Sequence, residues 1–183
     1  DDPAPVDPVN TDNPGFGVTG SISPRGTLLL AGAGWYPSVA TANERFRLEV
    51  AGPPGTRAVA AGRPVAAVPR RGLQVSAWQI DTPVEGLALV AGNFTRREKK
   101  DGHLIAATYF LNDDPALSDQ YLQAILKYLA AYEEQFGPYP FEKFAVVENF
   151  FPTGYGFPSF TLIGGRVLRL PFIIPPSLRH EIA

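Results

Sequence analysis

Between Gly26 and Leu111 every apolar run is short and ends at a turn signal, and that spacing restricts the segment to an antiparallel β architecture. Glu44-Arg45-Phe46-Arg47-Leu48-Glu49-Val50 alternates strictly, which puts Phe46, Leu48 and Val50 on one face and Arg45, Arg47 and Glu49 on the other. It reads as a half-buried strand. Gly52-Pro53-Pro54-Gly55, Gly62-Arg63-Pro64 and Asp81-Thr82-Pro83 are residues that do not continue a strand ladder, so they are expected to separate the strands in TRAVAAG, GLQVSAWQI and GLALVAG. Asp101-Gly102, between NFTRRE and HLIAATYF, predicts a tight hairpin flanked by His103. A β-sandwich or saddle-shaped sheet closes such a set, with Trp35 and Trp78 as core anchors.

The period changes at Asn112-Asp113-Asp114-Pro115, where Asp supplies a cap and Pro fits a first helical turn. Tyr121, Leu122, Ile125, Leu129, Tyr132 and Phe136 then recur at helical spacing, opposite Gln120, Gln123, Lys127, Glu133 and Glu134, until Gly137-Pro138 stops the helix. KFAVVENF reads as a strand ending in a solvent-facing Glu148. FTLIGGRVLRL reads as a hairpin turning at Gly164-Gly165, and Ser177 caps a final helix that carries His180 and Glu181. The chain divides accordingly into a β-rich part, 1–111, and the beginning of a mixed α+β part, 112–183.

Composition narrows the partners. A net charge of −2 over 183 residues, with the signs interspersed, offers no basic face to nucleic acid, and Arg96-Arg97-Glu98-Lys99-Lys100 is a short solvated strand end. There is no cysteine, hence no disulfide or thiolate metal site, and no apolar run of the length a membrane helix needs. Methionine is absent even at position 1, and the last residues read as a helix's first turn, so both ends read as those of a piece of something longer. The Pro/Asp-rich opening resembles a linker, which points towards an exported bacterial protein.

On a helix, histidines four apart can reach one Zn²⁺, and a glutamate beside the first can take a proton from metal-bound water. His180-Glu181-Ile182-Ala183 supplies the first half of that pattern; by itself it reads more readily as solvated residues at a helix start. Upstream, YLAAYEEQFGPYPFEKFAVVENF at Tyr128 to Phe150 resembles the segment that opens the catalytic domain in the M1 family of zinc metallopeptidases, the gluzincin aminopeptidases. Gly34-Trp35-Tyr36-Pro37 and WQIDTPVEGLALVAGNF resemble that family's N-terminal β domain, and all the matches fall in the family's order.

The resemblance implies a β-sandwich or saddle domain followed by the start of a thermolysin-like α+β catalytic domain, acting on peptide bonds through zinc-activated water. It makes His180 the first zinc ligand and Glu181 the general base. The remaining ligands are expected beyond Ala183, so these residues alone are expected to be inactive. One departure stands out. The family's Gly-Ala-Met-Glu-Asn strand, whose glutamate binds the substrate's free α-amino group, is replaced by Thr153-Gly154-Tyr155-Gly156-Phe157-Pro158, with Gly156 at the glutamate's position. Gly154, Tyr155, Gly156 and Phe157 then form either a substrate-binding edge strand or a space-filling loop. The altered segment leaves open, as an alternative, a peptide-binding scaffold on the same fold.

Overall fold

The computed structural model describes residues 18–37 and 43–170, so His180, Glu181 and the helix expected from Ser177 lie outside the described residues. Two compact units are present, one running to Phe94 and the other beginning at Thr95.

The first unit holds β1 (Gly20–Ser23), β2 (Gly26–Leu29), β3 (Glu44–Gly52), β4 (Arg57–Ala60), β5 (Arg63–Pro64), β6 (Gln74–Val84) and β7 (Leu89–Gly92). They form two antiparallel sheets, ordered β1-β2-β7-β4 and β3-β6-β5. The alternation in β3 decides its orientation: Leu48 and Val50 pack, with Leu29 and Trp35, onto buried Ala58, Leu89 and Ala91 of the other sheet. Side-chain bonds tie the sheets together. The Trp78 indole donates to the Ala58 carbonyl at 3.0 Å, and the Ala58 amide donates to Ser76 Oγ at 3.1 Å. Gly62 makes a close approach possible: its φ is +89°, and a Cβ there would lie 2.0 Å from the Gln79 carbonyl oxygen.

Two of the expected breaks lie inside strands. Arg63–Pro64, read as part of a turn, is β5 and pairs with β6 at Arg63↔Gln79 and Pro64↔Trp78, on the edge of its sheet where proline is tolerated. β6 does not stop at Asp81-Thr82-Pro83 but runs on to Val84. Its register against β3 jumps from Phe46↔Ile80 to Glu44↔Val84, so those three residues bulge opposite Arg45, whose Nε donates to the Asp81 carbonyl at 2.6 Å. A bulge is where a strand tolerates proline, because no ladder donor is needed there.

The second unit comprises β8 (Thr95–Asp101), β9 (Leu104–Phe110), α1 (Pro115–Phe136), β10 (Lys143–Asn149), β11 (Tyr155–Phe157), β12 (Phe160–Gly164) and α2 (Gly165–Leu168). β8 and β9 form the expected hairpin across Gly102-His103, with Gly102 at φ +54°, and β9 continues into the mixed sheet β11-β12-β10-β9-β8. That shared sheet places the division between units at Phe94/Thr95, upstream of the change in hydrophobic period at 111–112. β9, β10 and β12 run parallel, with α1 as the crossover between the first two.

α1 starts as its sequence dictates. Asp114 accepts the Leu117 amide at 3.0 Å, Pro115 occupies the first turn, and Gly137, at φ +90°, caps the end by donating to the Glu133 carbonyl. Its buried face sets Tyr121, Leu122, Ile125 and Leu129 against Leu104, Ala106, Phe110 and Val146, and each such side chain contributes about 1.5–3 kcal/mol by leaving water. The stripe outlasts this core: Tyr132 is 52% and Phe136 80% exposed.

Gly164-Gly165 is not a hairpin turn. Both edges of β12 are occupied, by β10 and β11, so a strand returning through Arg166–Leu170 has nothing to pair with and the chain turns into α2. The hairpin lies one step earlier, between β11 and β12. The buried face carries one defect, since Thr108 is fully buried and its hydroxyl has no hydrogen-bond partner. Thr108→Val, which removes the hydroxyl at nearly constant shape, is expected to stabilise the protein by about 1 kcal/mol in urea unfolding.

Candidate functional site

Of Gly154, Tyr155, Gly156 and Phe157 the last three are strand rather than loop: Tyr155–Phe157 is β11, at the edge of the five-stranded sheet, and Gly154 precedes it in the connecting loop. The Pro158-Ser159 turn closes the hairpin, with Ser159 at φ +66° as the third residue of a type II turn demands. Across a two-residue turn the closing pair, Phe157↔Phe160, exchanges both backbone bonds. The next pair, Gly156↔Thr161, therefore exchanges none, and Gly156 directs its N–H and C=O away from β12. Gly154 and Gly156 are both exposed, and a Cβ on Gly156 would meet nothing within 4 Å.

Tyr155 and Phe157 point to the opposite face from a Gly156 side chain and build an aromatic tier. Their rings stack at 6.0 Å between centroids, Phe157 stacks on buried Phe160 at 4.7 Å, and the Lys143 ammonium lies 5.4 Å from the Phe160 centroid. Lys143 is buried, and desolvation, assisted by the Arg96 charge, holds its pKa well below the ordinary lysine value. At this sheet it acts as a structural group against an aromatic face.

The approach to β11 is pinned from β10. Asn149 donates to the Thr153 carbonyl at 2.8 Å and accepts the Phe151 amide at 3.0 Å, which fixes the loop between the strands. Glu148 is buried rather than solvent-facing: Oε1 accepts from Arg169 Nη1 at 2.6 Å and Oε2 accepts the Leu111 amide at 2.9 Å. The hydrogen bond to Glu148 is the chief reason the Arg169 pKa is raised. Gly165 must be small because a Cβ there would lie 2.7 Å from Glu148 Oε1. α2 is held at its other side by the Tyr121 hydroxyl, which donates to the Leu168 carbonyl at 2.8 Å and stays protonated, burial pushing its pKa up to about 12.

Glu148, Asn149 and Arg169 were not legible as a unit, since their meeting depends on which strand β10 pairs with. A hollow of about 570 Å³ opens beside them, bounded by Phe151, Pro152 and Arg166. A second one of about 570 Å³ lies along the exposed end of α1, lined by Tyr128, Tyr132, Phe136, Tyr139 and Phe144. Among the described residues no three His, Asp or Glu side chains converge as a metal site, and His103 sits in the β8–β9 turn as expected. The described residues therefore neither supply nor test a zinc ligand set.

No protein-family model matches this sequence, and neither does any curated protein sequence. Solved structures do match. The M1 zinc metallopeptidase of Deinococcus radiodurans is 21% identical with a TM-score of 0.65, over 76% of this chain and 36% of that one. A mutant of that enzyme bound to a Tyr-Ser-Ala substrate is 20% identical with a TM-score of 0.63, over 85% and 39%. A two-domain M1 zinc metallopeptidase mutant bound to L-arginine is 19% identical with a TM-score of 0.63, over 84% and 38%. The fold is thus that of these metallopeptidases, as the sequence pattern implied, and this chain spans between 36% and 39% of their length.

The Glu148 bonds give a direct test of what positions the edge. Glu148→Ala leaves the Leu111 amide without this acceptor and Arg169 with only the Gly165 carbonyl in place of its carboxylate partner, and is expected to cost about 3 kcal/mol in denaturant unfolding.

Proposed function

We propose that this chain is the amino-terminal part of a zinc-dependent metallopeptidase of the M1 type, and that β11 is the strand on which its peptide substrate lies. The observation that carries the reading is the edge of β11, unpaired among the described residues, where exposed Gly156 presents a donor and an acceptor to an incoming backbone. The similar solved structures support it, being named as zinc metallopeptidases and, in one instance, as bound to a tripeptide substrate. The activity is that of the whole protein.

In this reading His180 contributes one nitrogen ligand and Glu181 is the base. A zinc held there would supply Lewis-acid polarisation of the scissile carbonyl and a more acidic bound water. What the described residues do is align the substrate. Pairing with Gly156 holds the peptide extended and converts part of the barrier into prearranged geometry.

Among the described residues no ammonium anchor stands beside that strand. From Asn149 to Leu170 there is no Asp or Glu. Glu148 is committed to Arg169 and the Leu111 amide, and Glu98 and Asp101 lie on β8, the opposite edge of the sheet. A free amino terminus therefore gains no charge-assisted bond here, and the enzyme is read as one that does not require it.

In the whole zinc-loaded protein, Glu181→Gln should lower kcat on peptides by at least about 10²-fold with zinc retained by elemental analysis. Unchanged turnover would sink the reading. Gly156→Glu adds a Cβ that meets nothing within 4 Å and should create a preference of about tenfold or more in kcat/KM for a free over an N-acetylated peptide. The unmodified protein should treat the two within a few fold.

A further inference from the structure

We infer that β11 selects peptides by an alternating pattern: a large apolar or aromatic side chain on each side of one unrestricted residue. This rests on the reading that a peptide pairs with β11, and adds to it the side chains that such a peptide must carry.

The register of the hairpin sets the pattern. In an added antiparallel strand, the residue opposite Gly156 exchanges both backbone bonds with it. Its two neighbours then lie opposite Tyr155 and Phe157 as non-hydrogen-bonded pairs, the geometry that brings Cα atoms to about 4.5 Å and side chains closest. Those neighbours project onto the face that carries the Tyr155–Phe157 stack. Tyr155 and Phe157 are only half-buried, so an incoming ring or branched chain extends an existing tier.

The middle residue meets different surroundings. Its side chain falls on the other face, beside Gly156, where a Cβ would contact nothing within 4 Å. Among the described residues no side chain crowds that position. Charged neighbours are disfavoured because the segment Asn149–Leu170 holds no carboxylate to receive a cation, and the Lys143 ammonium is buried beneath Phe160 and out of reach of an anion. The selected substrates are therefore extended peptides with apolar residues two apart.

The test compares two peptides of one composition, both N-acetylated and C-amidated and dye-labelled: Ser-Phe-Ser-Phe-Ser and Ser-Phe-Phe-Ser-Ser. Binding to the 183-residue chain is followed by fluorescence anisotropy and by the amide shift of Gly156. The first peptide should bind about tenfold more tightly, and N-methylation of its central serine should abolish binding. Tyr155→Ala with Phe157→Ala should bring the two peptides within about twofold; the peptide comparison in the unaltered chain holds even if that variant does not fold. Equal affinities that both vanish on N-methylation would overturn the selection and leave the edge-pairing intact. Absence of binding by either peptide, or shifts confined to residues away from β11, would overturn both.

Discussion

The second unit depends on β10 being paired on both sides. Its parallel partners β9 and β12 flank it, so Ala145 and Val147 are fully buried in the middle of the sheet. A parallel neighbour cannot be reached by a tight turn. α1 supplies the crossover from β9, and the return to β12 goes by way of β11, laid antiparallel on the far side of β12. The free edge, and with it the outward-facing Gly156 amide, is a consequence of that order.

A buried carboxylate makes the arrangement specific. Glu148 sits at the carboxyl end of β10 and reaches segments distant in sequence, the end of β9 at Leu111 and the residue that follows α2, Arg169. Such a group is tolerated inside a protein only when its oxygens are bonded, so a sheet in which β9 or α2 were displaced would leave it unpaired. Polar satisfaction here selects one arrangement of elements that hydrophobic packing alone would leave less defined.

Much of this was legible beforehand where the cause is local. Asp114-Pro115 and Gly137 bracket α1 because capping and φ preferences act over one turn, and the alternation of β3 survives because a pleat has a period of two. Other features were not legible. β6 passes through Pro83 because β3 takes up the slack as a bulge; Gly164-Gly165 enters a helix because β12 has no vacant edge; Glu148 turns inward because Arg169 and Leu111 meet it there. Each depends on a partner that is far away in the chain, and no window of neighbouring residues contains it. The exposure of Tyr132 and Phe136 belongs with these, since helical spacing names a face without saying how far the facing sheet extends.

By itself the sequence determined the alternating face of β3, where α1 begins and ends, and that glycine stands at position 156 with no acid among the residues around it. Those properties follow from backbone preference and side-chain chemistry, which each residue carries with it. Only the tertiary structure decided that Gly156 lies on an open edge, that its amide points outward, and that Tyr155 and Phe157 share a face with Phe160. Edge, direction and face are relations between strands, fixed by long-range pairing and by the burial that holds it.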